Sequence, residues 1–172
     1  AILHPVTTEL ANFKDHAHLF FKAIKMSNEN FVVILPNNDS GKDFIFNEIA
    51  ELKDVERFRV IPSMRFEYYL SLLKHAGIIF GNSSSGVREA PYFGTAVVNV
   101  GTRQDNRVVS DCVINVGYSL SAMLDALQTA FGKKYLPEKN FGDAGCSKRV
   151  QATLRERAFW DIEIQKTFVT LQ

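Results

Sequence analysis

Apolar residues fall in short runs along this chain, and each run stops at residues that turn the backbone. Ala1-Ile2-Leu3 meets His4-Pro5. Phe31-Val32-Val33-Ile34-Leu35 stops at Pro36-Asn37-Asn38, and Phe58-Arg59-Val60-Ile61 stops at Pro62. Gly77-Ile78-Ile79-Phe80, Ala96-Val97-Val98-Asn99-Val100 and Cys112-Val113-Ile114-Asn115-Val116 follow. Short runs rich in Val and Ile, bounded by Gly, Pro or Asn, read as strands buried on both faces.

Helical periodicity fills the gaps. From Thr8 to Met26, residues Leu10, Phe13, Ala17, Phe20, Phe21 and Ile24 share one helical face. Thr7 or Thr8 is placed to cap it, and Glu9 suits its positive end. Asp39 or Ser40 is placed to cap a second helix through Leu52. Ser63 is placed to cap a third through His75, with Phe66, Tyr69, Leu70 and Leu73 inward. A short fourth helix spans Gly86 to Phe93. A fifth spans Ser119 to Phe131, and a sixth begins near Ser147 and runs to about Phe168. The one long irregular stretch is Gly132 to Gly145. Strand and helix alternating in this way predict a doubly wound α/β domain. Its parallel sheet has about six strands, joined by right-handed crossovers and covered on both faces.

Composition narrows the class. Of 172 residues, 46% are hydrophobic, so the chain is not disordered. Twenty basic residues against 19 acidic ones give +1, which argues against nucleic acid as the partner. No apolar run reaches the roughly 20 residues of a membrane span, and no signal peptide is visible. The length suits one domain. Cys112 and Cys146 form neither a disulfide framework nor a metal-binding spacing, so a reducing, cytoplasmic setting is the default. The chain opens with Ala1, and a buried strand end at its first residues is read as a fragment of a longer protein.

Ligands of open α/β sheets bind at the carboxyl ends of the strands. Those ends carry His4, Asn37 to Gly41, Pro62-Ser63, Gly81-Asn82-Ser83-Ser84-Ser85-Gly86 and Gly101-Thr102-Arg103-Gln104. The Gly81–Glu89 segment is the sharpest feature. Small residues admit a close ligand, helix-start N–H groups favour negative charge, and hydroxyls donate to phosphate oxygens. Glu89 is a good acceptor for vicinal ribose hydroxyls. Together they suggest a nucleotide diphosphate; the plainer alternative is a Ser-rich loop that only caps its helix. Arg103 suits phosphate by its forked donors, or is a surface arginine in a turn. His4 is either a structural histidine or a catalytic one placed by its strand. Asn37 and Asp39 bind ligand hydroxyls or make the turn. His16, His18 and His75 are read as structural. Phe66, Tyr68 and Tyr69 are read as helix core, with one able to flank a base.

These segments have a likeness. His4-Pro5-Val6-Thr7-Thr8-Glu9 and Gly81-Asn82-Ser83-Ser84-Ser85-Gly86-Val87-Arg88-Glu89-Ala90-Pro91 resemble the hydrolysing UDP-N-acetylglucosamine 2-epimerases of sialic acid biosynthesis. So do Pro36-Asn37, Lys74-His75-Ala76-Gly77, Phe93-Gly94-Thr95 and Val98-Asn99-Val100-Gly101-Thr102-Arg103-Gln104. The likeness runs from about His4 to about Gly145. The non-hydrolysing relatives carry a His-Arg-Arg-Glu-Asn type segment at position 4 and an Asp-Ser-Gly-Gly type loop at position 82, which favours the hydrolysing type.

The resemblance implies a GT-B enzyme of two doubly wound domains, of which this chain is the C-terminal one. It implies UDP and UDP-N-acetylglucosamine as ligands and no cofactor or metal. It places Ser83 and Ser84 at the diphosphate, Glu89 at the ribose, Arg103 and Asn37 at the nucleotide site, Tyr69 at the uridine pocket, and His4 as catalytic. The reaction implied removes the C2 proton, expels UDP, and adds water to yield N-acetylmannosamine. The proton-moving acids belong to the N-terminal domain, which this chain lacks. Asp43 to Ala50 carries no arginine where the animal enzymes have those tied to feedback. No sugar kinase domain follows, as in the single-function bacterial type.

The expected division is residues 1–154 as the UDP-binding domain and 155–172 as a tail helix packing toward the missing domain. At full length a homo-oligomer is expected. Two other readings stand beside this one: a GT-B glycosyltransferase domain using a UDP-sugar, and a nucleotide-sensing module without chemistry.

Overall fold

The computed structural model describes residues 1–52, 55–107, 109–142, 145–161 and 165. They fall into two compact units, Ala1–Asn140 and Phe141–Gln172. The first contains strands β1 (Phe31–Ile34), β2 (Phe58–Ile61), β3 (Ile79–Gly81), β4 (Val97–Val100) and β5 (Val113–Val116). It also contains helices α1 (Phe13–Met26), α2 (Lys42–Ala50), α3 (Phe66–His75), α4 (Ser85–Arg88) and α5 (Leu120–Ala130).

Every ladder is parallel. β1 pairs with β2 from Phe31–Phe58 to Ile34–Ile61, while β4 pairs with β3 on one side and β5 on the other. Ala1–Leu3 lies between the β1–β2 sheet and the β3–β4–β5 sheet. Ala1 O accepts from Ile34 N at 3.0 Å, and Ile2 N donates to Phe80 O at 3.0 Å. With this segment as the first position, the spatial order is 3-2-1-4-5-6, that of the dinucleotide-binding folds.

The expected sixth strand is therefore a single bridge, Ile2 to Gly81, and the described residues form five strands in two sheets. The physical reason lies one residue on. His4 N donates to Asn82 Oδ1 at 2.7 Å and His4 O accepts from Asn82 Nδ2 at 2.8 Å, so a side-chain amide replaces the next rungs.

Alternation along the strands feeds two cores. Phe80, Val98 and Val100 pack with Phe31, Val33, Leu3 and the buried faces of α1, α2 and α5. Ile79 and Val97 pack on the opposite side with Ile2, Leu73 of α3 and Ala90. Phe80 is fully buried and stacks on Phe20 at 4.6 Å, with Phe31 at 6.5 Å. Phe80→Ala is expected to cost about 3–5 kcal/mol. Denaturant unfolding checks this; a loss below about 1 kcal/mol would show that the cluster collapses around the gap.

Helix starts differ from expectation. Thr7–Asn12 is a 3-10 turn, and α1 begins only at Phe13; neither Thr7 nor Thr8 caps it. Glu9 is drawn instead to Thr102 Oγ1. The second helix starts after Gly41, at φ 95°, because Asp39 accepts from Asn37 Nδ2 at 2.6 Å rather than capping. The third starts after Arg65, not Ser63, and leaves Phe66 and Tyr68 exposed, with Leu73 its one buried residue. The fourth is one turn, followed by a 3-10 turn at Pro91–Phe93.

In the second unit the sixth helix is broken: α6 (Cys146–Arg155) and α7 (Arg157–Trp160) meet at an extended Glu156. Val150, Leu154, Phe159 and Trp160 are exposed there, and Trp160 Nε1 donates to Leu154 O at 2.9 Å. Most of the expected tail beyond Asp161 lies outside the described residues. Among those described, no helix is long and apolar enough to cross a membrane, and no group of three or more His, Cys, Asp or Glu is placed to hold a metal ion.

Candidate functional site

The helices change faces of the sheet where Ala1–Leu3 adjoins β3. A crevice opens there by topology, since the chain leaves the two adjacent strands in opposite directions. A cleft of ≈ 450 Å³ occupies the position. Its walls hold His4, Asn37, Tyr69, Ser83, Ser84 and Glu89, six of the seven candidate side chains. Pro62, Met64 and Phe66 complete one wall.

His4 is half-buried, and its ring is fixed from behind. Asn37 N donates to His4 Nδ1 at 3.3 Å. An accepting Nδ1 carries no proton, so the neutral ring holds its proton on Nε2. Burial pushes the His4 pKa down and Arg103 pushes it further, against the Asn37 contact and Asp39. The ring is thereby held toward its neutral form.

The serine loop is compact. Ser83 Oγ and Ser85 Oγ lie 3.0 Å apart, and Ser85 N donates to Ser83 Oγ at 3.3 Å. The Ser83 and Ser84 N–H groups have no hydrogen-bond partner among the described residues, and both residues line the cleft. Since α4 is a single turn, it contributes little dipole; free amides and hydroxyls are the donors the loop offers to an anion.

Tyr69 and Glu89 share the far wall. The Tyr69 hydroxyl is enclosed, and its pKa is raised by burial and by the Glu89 carboxylate, with Ser85 acting the other way. Burial raises the Glu89 pKa, opposed by Arg88. A half-enclosed carboxylate beside open space favours hydroxyl donors over further anions.

Arg103 departs from the expected arrangement. It does not line the cleft; its Nη1 donates to Asn82 O at 3.1 Å, and its charge reaches His4 through space. Gln104, only 3% exposed, donates Nε2 to the same oxygen at 2.8 Å. The turn that carries both depends on Gly101, at φ 75°, where a Cβ would stand 2.6 Å from the Tyr118 ring. Met64 is a cleft residue to which sequence reasoning assigned no place; Asn82 and Gln104 were read only within their strand-end segments, without a role of their own, and Phe66 as helix core or as one of three residues able to flank a base. For Asn82 the available signal was a polar side chain directly after a strand at the switch point. His16 stacks on Tyr118 with ring centroids 3.9 Å apart and has Glu9 at 3.6 Å, a packed role.

A sequence model of one family, described as UDP-N-acetylglucosamine 2-epimerase, matches residues 1–155. The chain belongs to that family. Among relatives of this epimerase family, the UDP-N-acetylglucosamine 2-epimerase of Neisseria meningitidis serogroup B is 39% identical over 175 residues, covering 99% of this chain and 46% of that protein. The UDP-N,N'-diacetylbacillosamine 2-epimerase (hydrolyzing) of Legionella pneumophila is 34% identical, covering 90% of this chain and 41% of that one. The chain thus spans less than half the length of these curated relatives. The UDP-GlcNAc 2-epimerase of Methanocaldococcus jannaschii, solved in complex with UDP-GlcNAc and UDP, superposes with TM-score 0.69 at 18% identity, over 89% of this chain and 44% of that one. The Listeria monocytogenes protein described as a UDP-N-acetylglucosamine 2-epimerase gives 0.66 at 15% identity, over 98% of this chain and 47% of that one. At those identities the structures establish the fold, the doubly wound α/β architecture that alternation predicts.

Proposed function

We propose that this chain is the C-terminal, UDP-binding half of a GT-B hydrolysing 2-epimerase that converts UDP-N-acetylglucosamine to N-acetylmannosamine and UDP. The observation that carries the reading is the convergence of His4, Ser83, Ser84, Glu89 and Tyr69 on one cleft at the switch point. Two hydrolysing 2-epimerases among the relatives favour the hydrolysing type. The UDP and UDP-GlcNAc of the Methanocaldococcus complex favour the ligand.

In this reading the Ser83 and Ser84 amides and hydroxyls hold the diphosphate. Glu89 accepts the ribose hydroxyls, and Tyr69 borders the uridine. Asn37 acts from behind, holding the His4 ring through its main chain. The C2–H bond and the C1–O bond to UDP break, leaving a 2-acetamidoglucal. Water then adds to give N-acetylmannosamine. A C2 proton lies alpha to no carbonyl, so the reaction depends on stabilising the charge that develops on departing UDP. His4 Nε2–H and the serine loop supply donors at that place, and Arg103 adds positive potential. The acids and bases that move the protons belong to the part of the enzyme outside this chain. The complete enzyme is a cytoplasmic homo-oligomer.

Calorimetry tests the binding half directly. The chain is expected to bind UDP without turnover. Glu89→Ala is expected to weaken UDP about tenfold or more while leaving inorganic diphosphate nearly unchanged, the loss of a hydrogen-bonded pair to a charged acceptor. Absence of heat at millimolar UDP would sink the reading. Released N-acetylmannosamine from the full-length enzyme, rather than a UDP-linked epimer or a glycosylated acceptor, decides the hydrolysing type.

A further inference from the structure

Asn82 is fully buried, and nearly every polar atom it owns is committed at the switch point. Its N–H donates to Ile2 O at 3.1 Å. Its Oδ1 accepts from His4 N, and its Nδ2 donates to His4 O. Its main-chain oxygen accepts from both Arg103 and Gln104, which uses both lone pairs. One residue therefore fixes the backbone of His4 with its side chain and aims Arg103 with its carbonyl.

We propose that Asn82 is the positioning residue for chemistry at His4, chosen as an amide because it must donate and accept at once on the two sides of one histidine's main chain. The proposal rests on the epimerase reading above for what His4 does, and on the hydrogen bonds alone for how His4 is held. An aspartate would be isosteric and could still accept from His4 N. Ionised, it would set a negative oxygen against His4 O, where Asn82 now donates at 2.8 Å. Protonated, it would donate again. The distinction between amide and carboxylate is thus a distinction in pH.

The charged and titratable groups facing this place are few. Arg103 and Asp39 face His4, while Tyr118 approaches Asn82 and itself faces Glu9 and Arg103. Tyr118 is pushed up to about 12 by burial, with Glu9 adding to it and Asn82 opposing, so it stays neutral through the neutral range.

The test is Asn82→Asp in the full-length enzyme, with a second arm in this chain alone. In the enzyme, kcat is expected to fall roughly 10–100-fold at pH 8 with KM changed no more than about threefold, as for a misaligned group that acts in the transition state. The deficit is expected to shrink as pH falls and the introduced carboxyl takes a proton. A deficit uniform at every pH, with KM raised well beyond threefold and UDP affinity lost, would mean a merely structural residue and overturn the proposal. Unchanged kcat would overturn it as well.

In this chain alone, nitrogen NMR of the wild-type His4 ring is expected to show the Nε2–H tautomer, and Asn82→Asp is expected to raise the His4 titration point. A wild-type Nδ1–H tautomer, or a His4 titration indifferent to Asn82→Asp in a folded chain, would sink the idea even if the epimerase reading stands. If Asn82→Asp does not fold, Gln104→Leu keeps the question open to measurement. It removes one of the two donors that fix the Asn82 carbonyl and is expected to shift the same His4 resonances; no shift counts against the proposal. Should His4→Ala leave turnover intact, the epimerase role of His4 fails, and the NMR arm still judges Asn82.

Discussion

His4→Ala is expected to lower kcat of the full-length enzyme by about 10²–10³, the usual cost of deleting one donor aimed at developing charge. UDP affinity of the chain should change little, because the serine loop and Glu89 stand on β3 and α4 and do not depend on the His4 ring. The split separates catalysis from binding. Single-turnover release of UDP measures the first, and calorimetry measures the second. The pH dependence carries a sign. Burial, aided by Arg103, holds the His4 pKa below its ordinary value, so the ring remains neutral to lower pH than free imidazole. The unfolded chain binds this proton more readily, so stability rises with pH between the lowered and the ordinary value and is lost on going down through that window. His4→Ala should flatten that part of the stability curve. If kcat is unchanged, neither His4 nor its Nε2–H takes part in the departure of UDP.

The second large effect belongs to a residue with no side chain. Gly81 ends β3 with φ 136°, and a Cβ there would stand 1.9 Å from Ile2 O and 2.7 Å from Ile2 C. Both are backbone atoms of the segment that joins the two sheets, so no side chain can swing aside. Gly81→Ala is expected to cost at least about 3 kcal/mol, the sum of a disfavoured φ and an unrelieved clash. Against a typical total of roughly 5–15 kcal/mol, this leaves much of the chain unfolded or prone to it. Gly132 is the control: its φ is 74° but a Cβ would meet nothing within 4 Å. Gly132→Ala should show the conformational part alone, about 1 kcal/mol. Denaturant midpoints of the two variants separate clash from strain, and a Gly81→Ala chain as stable as Gly132→Ala would show that Ala1–Leu3 moves freely.

Most of the architecture is legible in the runs of Val and Ile, because a strand buried on both faces has few other ways to be written. Ala1–Leu3 is the exception. Its place in the sheet follows from its composition, but whether it forms a ladder depends on Asn82, 78 residues away from His4, and hydropathy cannot carry that information. Helix starts fail for a related reason. Capping rules are local, whereas Glu9 and Asp39 find better partners in Thr102 and Asn37. Phe66 reads as core because helical spacing cannot tell a buried face from one bordering a cleft; it is 61% exposed. The cleft itself is legible by another rule, since chemistry collects at strand carboxyl ends. That rule brings five of the six lining candidates to the cleft, leaves Tyr69 of α3 to the resemblance, and cannot foresee that Arg103 turns inward to a carbonyl.

The bridge between Ile2 and Gly81 also has a mechanical meaning. A sheet of several strands resists shear because each neighbour contributes several rungs, and here one boundary has two main-chain hydrogen bonds and one amide side chain. His4, Asn37 and Met64 stand on one bank of that boundary, and Ser83, Ser84 and Glu89 on the other. A nucleotide lying across it would therefore act as a crossbeam, adding to the fold the rungs that the backbone omits. Part of the ligand's binding free energy then appears as added resistance of the sheet to opening at this joint.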